Sequence, residues 1–93
     1  MSENQIENII TQYFKNNNKL QLLLEMRAVE VWKEVVGSFI AQKTRVKQVK
    51  AGVMYVSVSD AALRFELNNS RSDIMDKINA HLNSKVVTNI VFQ

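Results

Sequence analysis

The sequence predicts an α+β domain in which one three-stranded sheet packs on helices. Apolar residues recur with helical spacing before and after a central segment, residues 44–59, where they alternate with polar residues as in strands. A third alternating segment, residues 85–92, closes the chain. The predicted order of helices and strands is therefore α, α, β, β, α, α, β.

An amphipathic helix is predicted at residues 3–14, before the globular domain. Its apolar stripe has the spacing i, i+3, i+4 and i+7 and consists of Ile6, Ile9, Ile10 and Tyr13. The asparagines at 16–18 are interpreted as a turn or linker. We therefore assign residues 1–19 to an N-terminal helix with its linker and residues 20–93 to the domain. Because such a short helix is marginal alone, we expect it to dock either on the domain or on a partner.

The clearest helical pattern lies at residues 26–40. Its apolar stripe consists of Ala28, Val31, Trp32, Val35, Val36, Phe39 and Ile40. Trp32 is expected to pack in the core, with base stacking or partner docking as the alternative. Gly37 costs about 1 kcal/mol of helix propensity relative to Ala. We therefore expect it to mark a bend or to admit another backbone.

Residues 44–59 are predicted to form a β-hairpin with the three-residue loop Lys50-Ala51-Gly52. This register pairs Val46 with Val56 and Gln48 with Met54, facing the helices. A two-residue loop would pair inward residues with outward ones, which argues against it. The face turned away from the helices would carry Arg45, Lys47, Val49, Val53 and Tyr55, with Val87 and Val91 from the last strand.

The C-terminal half is predicted to contain two helices and a strand. Asp60 is the expected N-cap of a helix starting at Ala61, and residues 68–71 interrupt the pattern. Ser70 and Asp73 resemble a capping box for the second helix. Four residues of that helix face the core and two form an exposed i, i+4 pair: Ile74, Met75, Ile78 and Leu82, then Asp73 and Lys77. The final strand is predicted at residues 85–92.

Composition excludes several functional classes. The chain has no cysteine and one histidine, His81, so we expect no metal site and no cofactor. The carboxylates are spread over polar helix faces, and with only two glycines no glycine-rich phosphate loop exists, so we predict no enzyme and no small-molecule substrate. No apolar run spans a bilayer and no signal peptide is visible, so we expect a cytoplasmic protein with no membrane partner.

Charge is concentrated in one segment. Ser38 to Ser59 contains no acidic residue, and its basic residues are Lys43, Arg45, Lys47 and Lys50. Such a stripe favours an anionic partner, and with Tyr55 as a stacking platform it suits single-stranded nucleic acid. On charge alone, a solvated edge that discourages aggregation is equally favoured. The outer valines are also typical of a second small core or a protein-docking patch.

A second candidate anion site is the turn Asn69-Ser70-Arg71, where free backbone N–H groups and Arg71 would meet a phosphate. An ordinary cap with a solvated arginine is the favoured alternative. Arg64 and Arg71 are therefore predicted only as secondary contacts. The competing function is a protein-interaction adaptor without nucleic-acid binding. It would use Ile6, Ile9, Ile10, Tyr13 and the outer sheet face.

Several motifs together resemble the DciA-like family, especially short forms from Bacteroidetes. The resemblance covers roughly residues 20–92 and includes a W-x-x-V-x-G pattern. The matching motifs are Trp32-Lys33-Glu34-Val35-Val36-Gly37, Ile40-Ala41, Thr44, Val53-Met54-Tyr55-Val56, Leu63-Arg64, Glu66-Leu67, Arg71, Ile78-Asn79 and Ile90-Val91-Phe92.

This resemblance implies a fold similar to type II KH domains, with the order α-β-β-α-α-β. It also implies DNA binding and a role in loading or regulating the replicative DNA helicase of bacteria. Ordinary KH domains clamp nucleotides with a G-x-x-G loop, whereas residues 68–71 contain no glycine. Many family members carry a disordered C-terminal tail, and this chain stops at Gln93. Helicase contact is therefore expected from the domain or its N-terminal helix, and DNA contact from other residues.

Overall fold

The computed structural model describes residues 19–93, so the helix predicted at residues 3–14 lies outside the described residues. The elements are α1 (Lys19–Val36), α2 (Ser38–Lys43), β1 (Thr44–Lys50), β2 (Val53–Val58), α3 (Ala61–Asn69), α4 (Arg71–Leu82) and β3 (Asn89–Phe92). One three-stranded mixed sheet packs on the helices. This confirms the predicted α+β class and is consistent with the expected KH-like arrangement.

The core lies between one face of the sheet and the helices. Met54, Val56 and Ile90 from the strands are fully buried, as is Ile78 from α4. Trp32 of α1 is 4% exposed, and its indole Nε1–H donates to Thr44 Oγ1 at 2.9 Å. The prediction that Trp32 packs in the core is confirmed.

A break at Gly37 divides the predicted helix of residues 26–40 into α1 and α2. Gly37 has φ +86°, a left-handed conformation that glycine adopts at little cost. A Cβ there would meet no atom within 4 Å, so the residue marks a bend and not a close backbone approach. Beyond the bend the helical phase changes. Phe39 is therefore 70% exposed, and its predicted place on the buried stripe is wrong.

The hairpin closes with two loop residues, Ala51 and Gly52, so the predicted three-residue loop is wrong. Pairing from Thr44 to Val46 follows the predicted register, but Gln48 then pairs with Tyr55. Lys47 is the extra residue of a β-bulge, which restores the inward–outward alternation that a two-residue loop would otherwise violate. Ala51 and Gly52 have φ of 51° and 83°, as a type I′ turn requires.

The hairpin correction also changes which residues share a face. Val49 pairs with Met54 and packs against the core, so its predicted place on the outer face is wrong. Lys50 pairs with Val53 as a strand residue and not as part of a loop. The sheet order is β1-β2-β3, with β1 antiparallel and β3 parallel to β2.

The junction between α3 and α4 uses one residue, Ser70. Its N–H donates to the carbonyls of Glu66 and Leu67, and its side chain makes no capping bond. The predicted capping box is therefore wrong. The cap of α3 is confirmed, since Asp60 Oδ1 accepts from the N–H of Leu63 at 3.0 Å.

Helix α4 confirms the predicted inward and outward faces. Ile74, Ile78 and Leu82 are buried, and Lys77 Nζ lies 3.2 Å from an oxygen of Asp73. After Leu82 the left-handed residue Asn83 ends the helix.

The third strand begins at Asn89, four residues later than predicted. The backbone of Val86 and Val87, before the strand, is hydrogen-bonded to the side chain of Asn79 and not to a neighbouring strand. Asn79 Oδ1 accepts from the N–H groups of Val86 and Val87 at 3.0 and 2.9 Å. Its Nδ2 donates to the carbonyl of Val87 at 2.9 Å. Both valines are buried, so the prediction that Val87 lies on the outer sheet face is wrong.

Candidate nucleic-acid interface

The sheet has an outer face, which we define as the side turned away from the core. Alternate strand residues point to opposite sides, so this face follows from the register. It is formed by Arg45, Lys47, Gln48 and Lys50 of β1, Val53, Tyr55 and Ser57 of β2, and Asn89 and Val91 of β3. The β1 residues are exposed, and the β2 residues are half-buried.

Three cations occupy this face along β1. Arg45 lies opposite Ser57, and Lys50 lies opposite Val53. Because Lys47 is the bulged residue, Lys47 and Gln48 both lie opposite Tyr55. Because of the bulge, both Arg45 before the register change and Lys50 after it lie on the outer face.

Tyr55 lies in the middle of the outer face. It belongs to the central strand, with Gln48 as its neighbour on β1 and Val91 as its neighbour on β3. Its side chain is half-buried. An aromatic residue next to exposed cations is the combination found in surfaces that bind single-stranded nucleic acid.

The outer-face cations carry no carboxylate partner within the described part of the chain. The close contacts between acidic and basic side chains in residues 19–93 are Asp73 with Lys77 and Glu34 with His81, all on helices. No carboxylate of residues 19–93 therefore neutralises Arg45, Lys47 or Lys50 by direct contact.

Lys43 has a different environment from the other three. It ends α2, and its Nζ lies 5.3 Å from the centroid of the Phe39 ring, a cation–π distance. It also acts on Asp60, whose pKa is lowered below 3.8, first by the Leu63 N–H and further by the charges of Lys43 and Arg64. Lys43 thus belongs to a mixed-charge cluster at the start of β1.

The two secondary arginines do not lie on the outer face. Arg64 on α3 is half-buried, and its Nε is buried without a hydrogen-bond partner among the described residues. Arg71 is the exposed first residue of α4. Both helices pack on the core side of the sheet, so the structure brings Arg64 towards Lys43 and Asp60 and leaves Arg71 separate.

The turn at Ser70 is poorly suited to a phosphate. The Ser70 N–H is already bonded to helix α3. Beside it lies a groove of about 280 Å³ between the four helices, lined mainly by apolar side chains and by the charged side chains of Glu66, Asp73 and Lys77. Because Lys77 pairs with Asp73, the remaining charge in the groove is the carboxylate of Glu66, which opposes an anion there.

Helix α1 holds both ends of the cationic strand, a feature that sequence reasoning missed. At one end, Trp32 bonds Thr44, whose hydroxyl donates to the Ile40 carbonyl at 2.8 Å. At the other end, the carboxylate of Glu25, a residue that is 6% exposed, accepts the N–H of Gly52 at 3.0 Å. The available signal was position, since Glu25 precedes Trp32 by seven residues and shares its helix face.

The turn held by Glu25 also contacts the segment before β3. A Cβ at Gly52 would lie 2.8 Å from Thr88 Oγ1, so a side chain there would collide. The Gly52 carbonyl accepts the Thr88 N–H at 2.8 Å. The hairpin turn is therefore fixed from two sides, and with it the positions of Lys47 and Lys50.

Residues 19–93 include no helix with the length and apolarity needed to cross a membrane. The same residues bring together no group of His, Asp or Glu side chains suited to a metal ion.

The sequence matches one protein family over residues 5–92, nearly its whole length. The family is described as "Dna[CI] antecedent, DciA". The matched region includes the outer face and both anchors of β1. No curated protein shows a significant match.

Proposed function

The chain belongs to the DciA family, and on this premise we propose that it is a non-enzymatic DNA-binding accessory of replication that engages the replicative helicase. Family membership implies a role in loading that helicase. What the proposal adds is a DNA-binding surface, formed by Arg45, Lys47 and Lys50 with Tyr55 between them and β3.

The observation that carries the proposal is the placement of three exposed cations on one face of one strand. Arg45 and Lys50 lie opposite Ser57 and Val53, which are four positions apart on β2, so the cations span about 13 Å. A stacked nucleotide strand advances about 3.4 Å per phosphate, so this length matches several successive phosphates. A binding surface of this kind needs no glycine loop.

Single-stranded DNA fits this surface better than duplex. The half-buried Tyr55 ring and the neighbouring Val53 and Val91 offer an apolar floor to unstacked bases. A duplex presents its phosphates outward and keeps its bases stacked, so it would use the cations alone. We expect weaker contacts from Lys43 and Arg64, because the negative charge of Asp60 lies near both. Arg71 is also expected to contribute less, since it lies on α4 and not on the outer face.

The test is a titration of labelled single-stranded and duplex DNA at several salt concentrations. The variant Arg45→Gln/Lys47→Gln/Lys50→Gln should flatten the dependence of log K on log salt by about 2, since each phosphate contact to a single strand contributes about 0.7. Its affinity should fall correspondingly.

The matched control is Arg27→Gln/Lys33→Gln/Lys85→Gln, which removes the same charge from exposed positions off the outer face. It should retain most of the salt dependence. If both triple variants lose binding equally, only net charge matters and the outer-face site is wrong.

Helicase engagement is measured separately, by capture of the purified replicative helicase on the immobilised chain. Capture without any DNA binding would favour the adaptor alternative. DNA binding without capture would remove the helicase contact from the proposal and leave the outer-face site standing.

A further inference from the structure

Helix α1 has two apolar faces, and the described residues cover one of them. Ala28, Val31 and Trp32 pack in the core. A second apolar face, formed by Leu22, Met26 and Val29, has the spacing i, i+4 and i+7 and is exposed by 62%, 66% and 41%. A helix that is apolar on two sides needs two packing partners.

The chain itself contains a segment with the complementary pattern. Residues 3–14 lie outside the described residues, and their predicted stripe places Ile9 three residues and Tyr13 seven residues after Ile6. The second apolar face has the same intervals in the opposite chain direction, since Met26 lies three residues and Leu22 seven residues before Val29. An antiparallel pairing therefore sets three apolar pairs in register: Ile6 with Val29, Ile9 with Met26, and Tyr13 with Leu22.

The connecting length fits this pairing. Antiparallel helices are commonly joined by about two to five residues, and residues 15–18, mostly asparagine, separate the predicted helix from Lys19. A helix over residues 3–14 would be about 18 Å long, enough to cover the roughly 10 Å from Leu22 to Val29.

We propose that residues 3–14 fold back as a helix on the second apolar face of α1 in the same chain. The pairing stabilises a helix that would be marginal alone and removes three apolar side chains of α1 from water. Because α1 packs on the core side of the sheet, this arrangement leaves Tyr55 and the outer face uncovered. The inference does not depend on DNA binding.

Disulfide trapping tests the pairing, since the natural chain contains no cysteine. A disulfide requires Cα atoms about 4.4–6.8 Å apart. In the full chain, Ile9→Cys/Met26→Cys should form an intramolecular bond under mild oxidation by diamide. It would appear as a monomer with altered mobility on a non-reducing gel. The control Ile9→Cys/Val53→Cys, which places the second cysteine on the outer face, should stay reduced.

Other crosslinking results would overturn the proposal. A bond in the control pair would show that the segment covers the sheet. Disulfide-linked dimers of the first pair would show that a second copy occupies the face. A fully reduced first pair would show that the face is not covered by this segment.

A measurement without cysteines gives an independent answer. Met26→Gln preserves helix propensity, and Met26 is exposed within the described structure. If residues 3–14 cover it, the melting temperature should fall by about 4–8 °C. The matched control Arg27→Gln, also exposed, should change it little. Equal melting temperatures for the two variants would contradict the proposal.

Discussion

The two faces of the sheet come from alternate residues of the same strands, yet they differ in composition and in burial. Met54 and Val56 of β2 are fully buried on the inner face, while Val53 and Tyr55, the residues that alternate with them, lie half-buried on the outer face. The inner face holds the domain together, and the outer face carries cations and an aromatic ring. Substitutions at neighbouring positions should therefore separate stability from binding.

The largest expected effect comes from breaking the inner face. Met54→Ala should lower the free energy of unfolding by about 2–5 kcal/mol, because it leaves a cavity at a fully buried position. Urea denaturation measures this loss. The neighbouring outer-face variant Val53→Ala should cost clearly less. Equal losses at Met54 and Val53 would mean that the two faces are not distinct in packing.

The next effect concerns the buried carboxylate that ties the hairpin turn to α1. Glu25→Ala should cost about 1.5–3 kcal/mol, since it leaves the Gly52 N–H without its charged acceptor. Glu25→Gln, which keeps an acceptor, should lose less. The exposed control Glu30→Ala should change stability little.

Amide hydrogen exchange gives a local readout of the same bond. Exchange at Gly52 should accelerate in Glu25→Ala more than exchange in α4. If Gly52 remains as protected as before, Glu25 does not hold the turn.

The inner face and the helices could largely be predicted from the sequence. Two periodic patterns predict burial directly. One is the alternation at Met54, Val56 and Val58, and the other is the helical spacing around Trp32. The confirmed cap at Asp60 is likewise local, since its bond reaches only three residues along the chain.

The outer face was predicted less completely, because two local backbone features changed its membership. A bulge at Lys47 moved Val49 inward and brought Lys50 onto a strand. One extra backbone residue leaves almost no trace in a hydrophobic pattern. The side chain of Asn79 hydrogen-bonds the backbone of Val87 in place of strand pairing, and Val87 is buried in the core.

Substituting Tyr55 tests whether the outer face contributes to DNA binding and not to stability. Tyr55→Ala should weaken single-stranded DNA binding by about 1–3 kcal/mol if one base stacks on the ring. Tyr55→Phe should preserve it. Since no phosphate contact is lost, the salt dependence should stay unchanged, unlike that of the triple cation variant. A reduced salt slope in Tyr55→Ala would indicate a distorted β1 and not a lost stacking contact.

The smallest expected effect concerns Asp60, whose carboxylate lies near Lys43 at the start of β1. The Leu63 N–H and the nearby cations lower the pKa of Asp60 in the folded chain below its ordinary value of 3.8. Between the lowered pKa of the folded chain and the ordinary pKa of the unfolded chain, Asp60 therefore binds more protons in the unfolded state. The stabilisation from Asp60 is present above pH 4 and is lost as the pH falls through the folded pKa.

Asp60→Asn isolates this charge, because asparagine also caps helices well. The difference in unfolding free energy between wild type and Asp60→Asn, small because Asp60 is exposed, should shrink as the pH falls below 4. At pH 7 the variant removes the negative charge of Asp60 from the surroundings of Lys43. If Lys43 contacts phosphate, single-stranded DNA binding should become slightly tighter. Unchanged affinity would confine the DNA surface to the cations from Arg45 to Lys50.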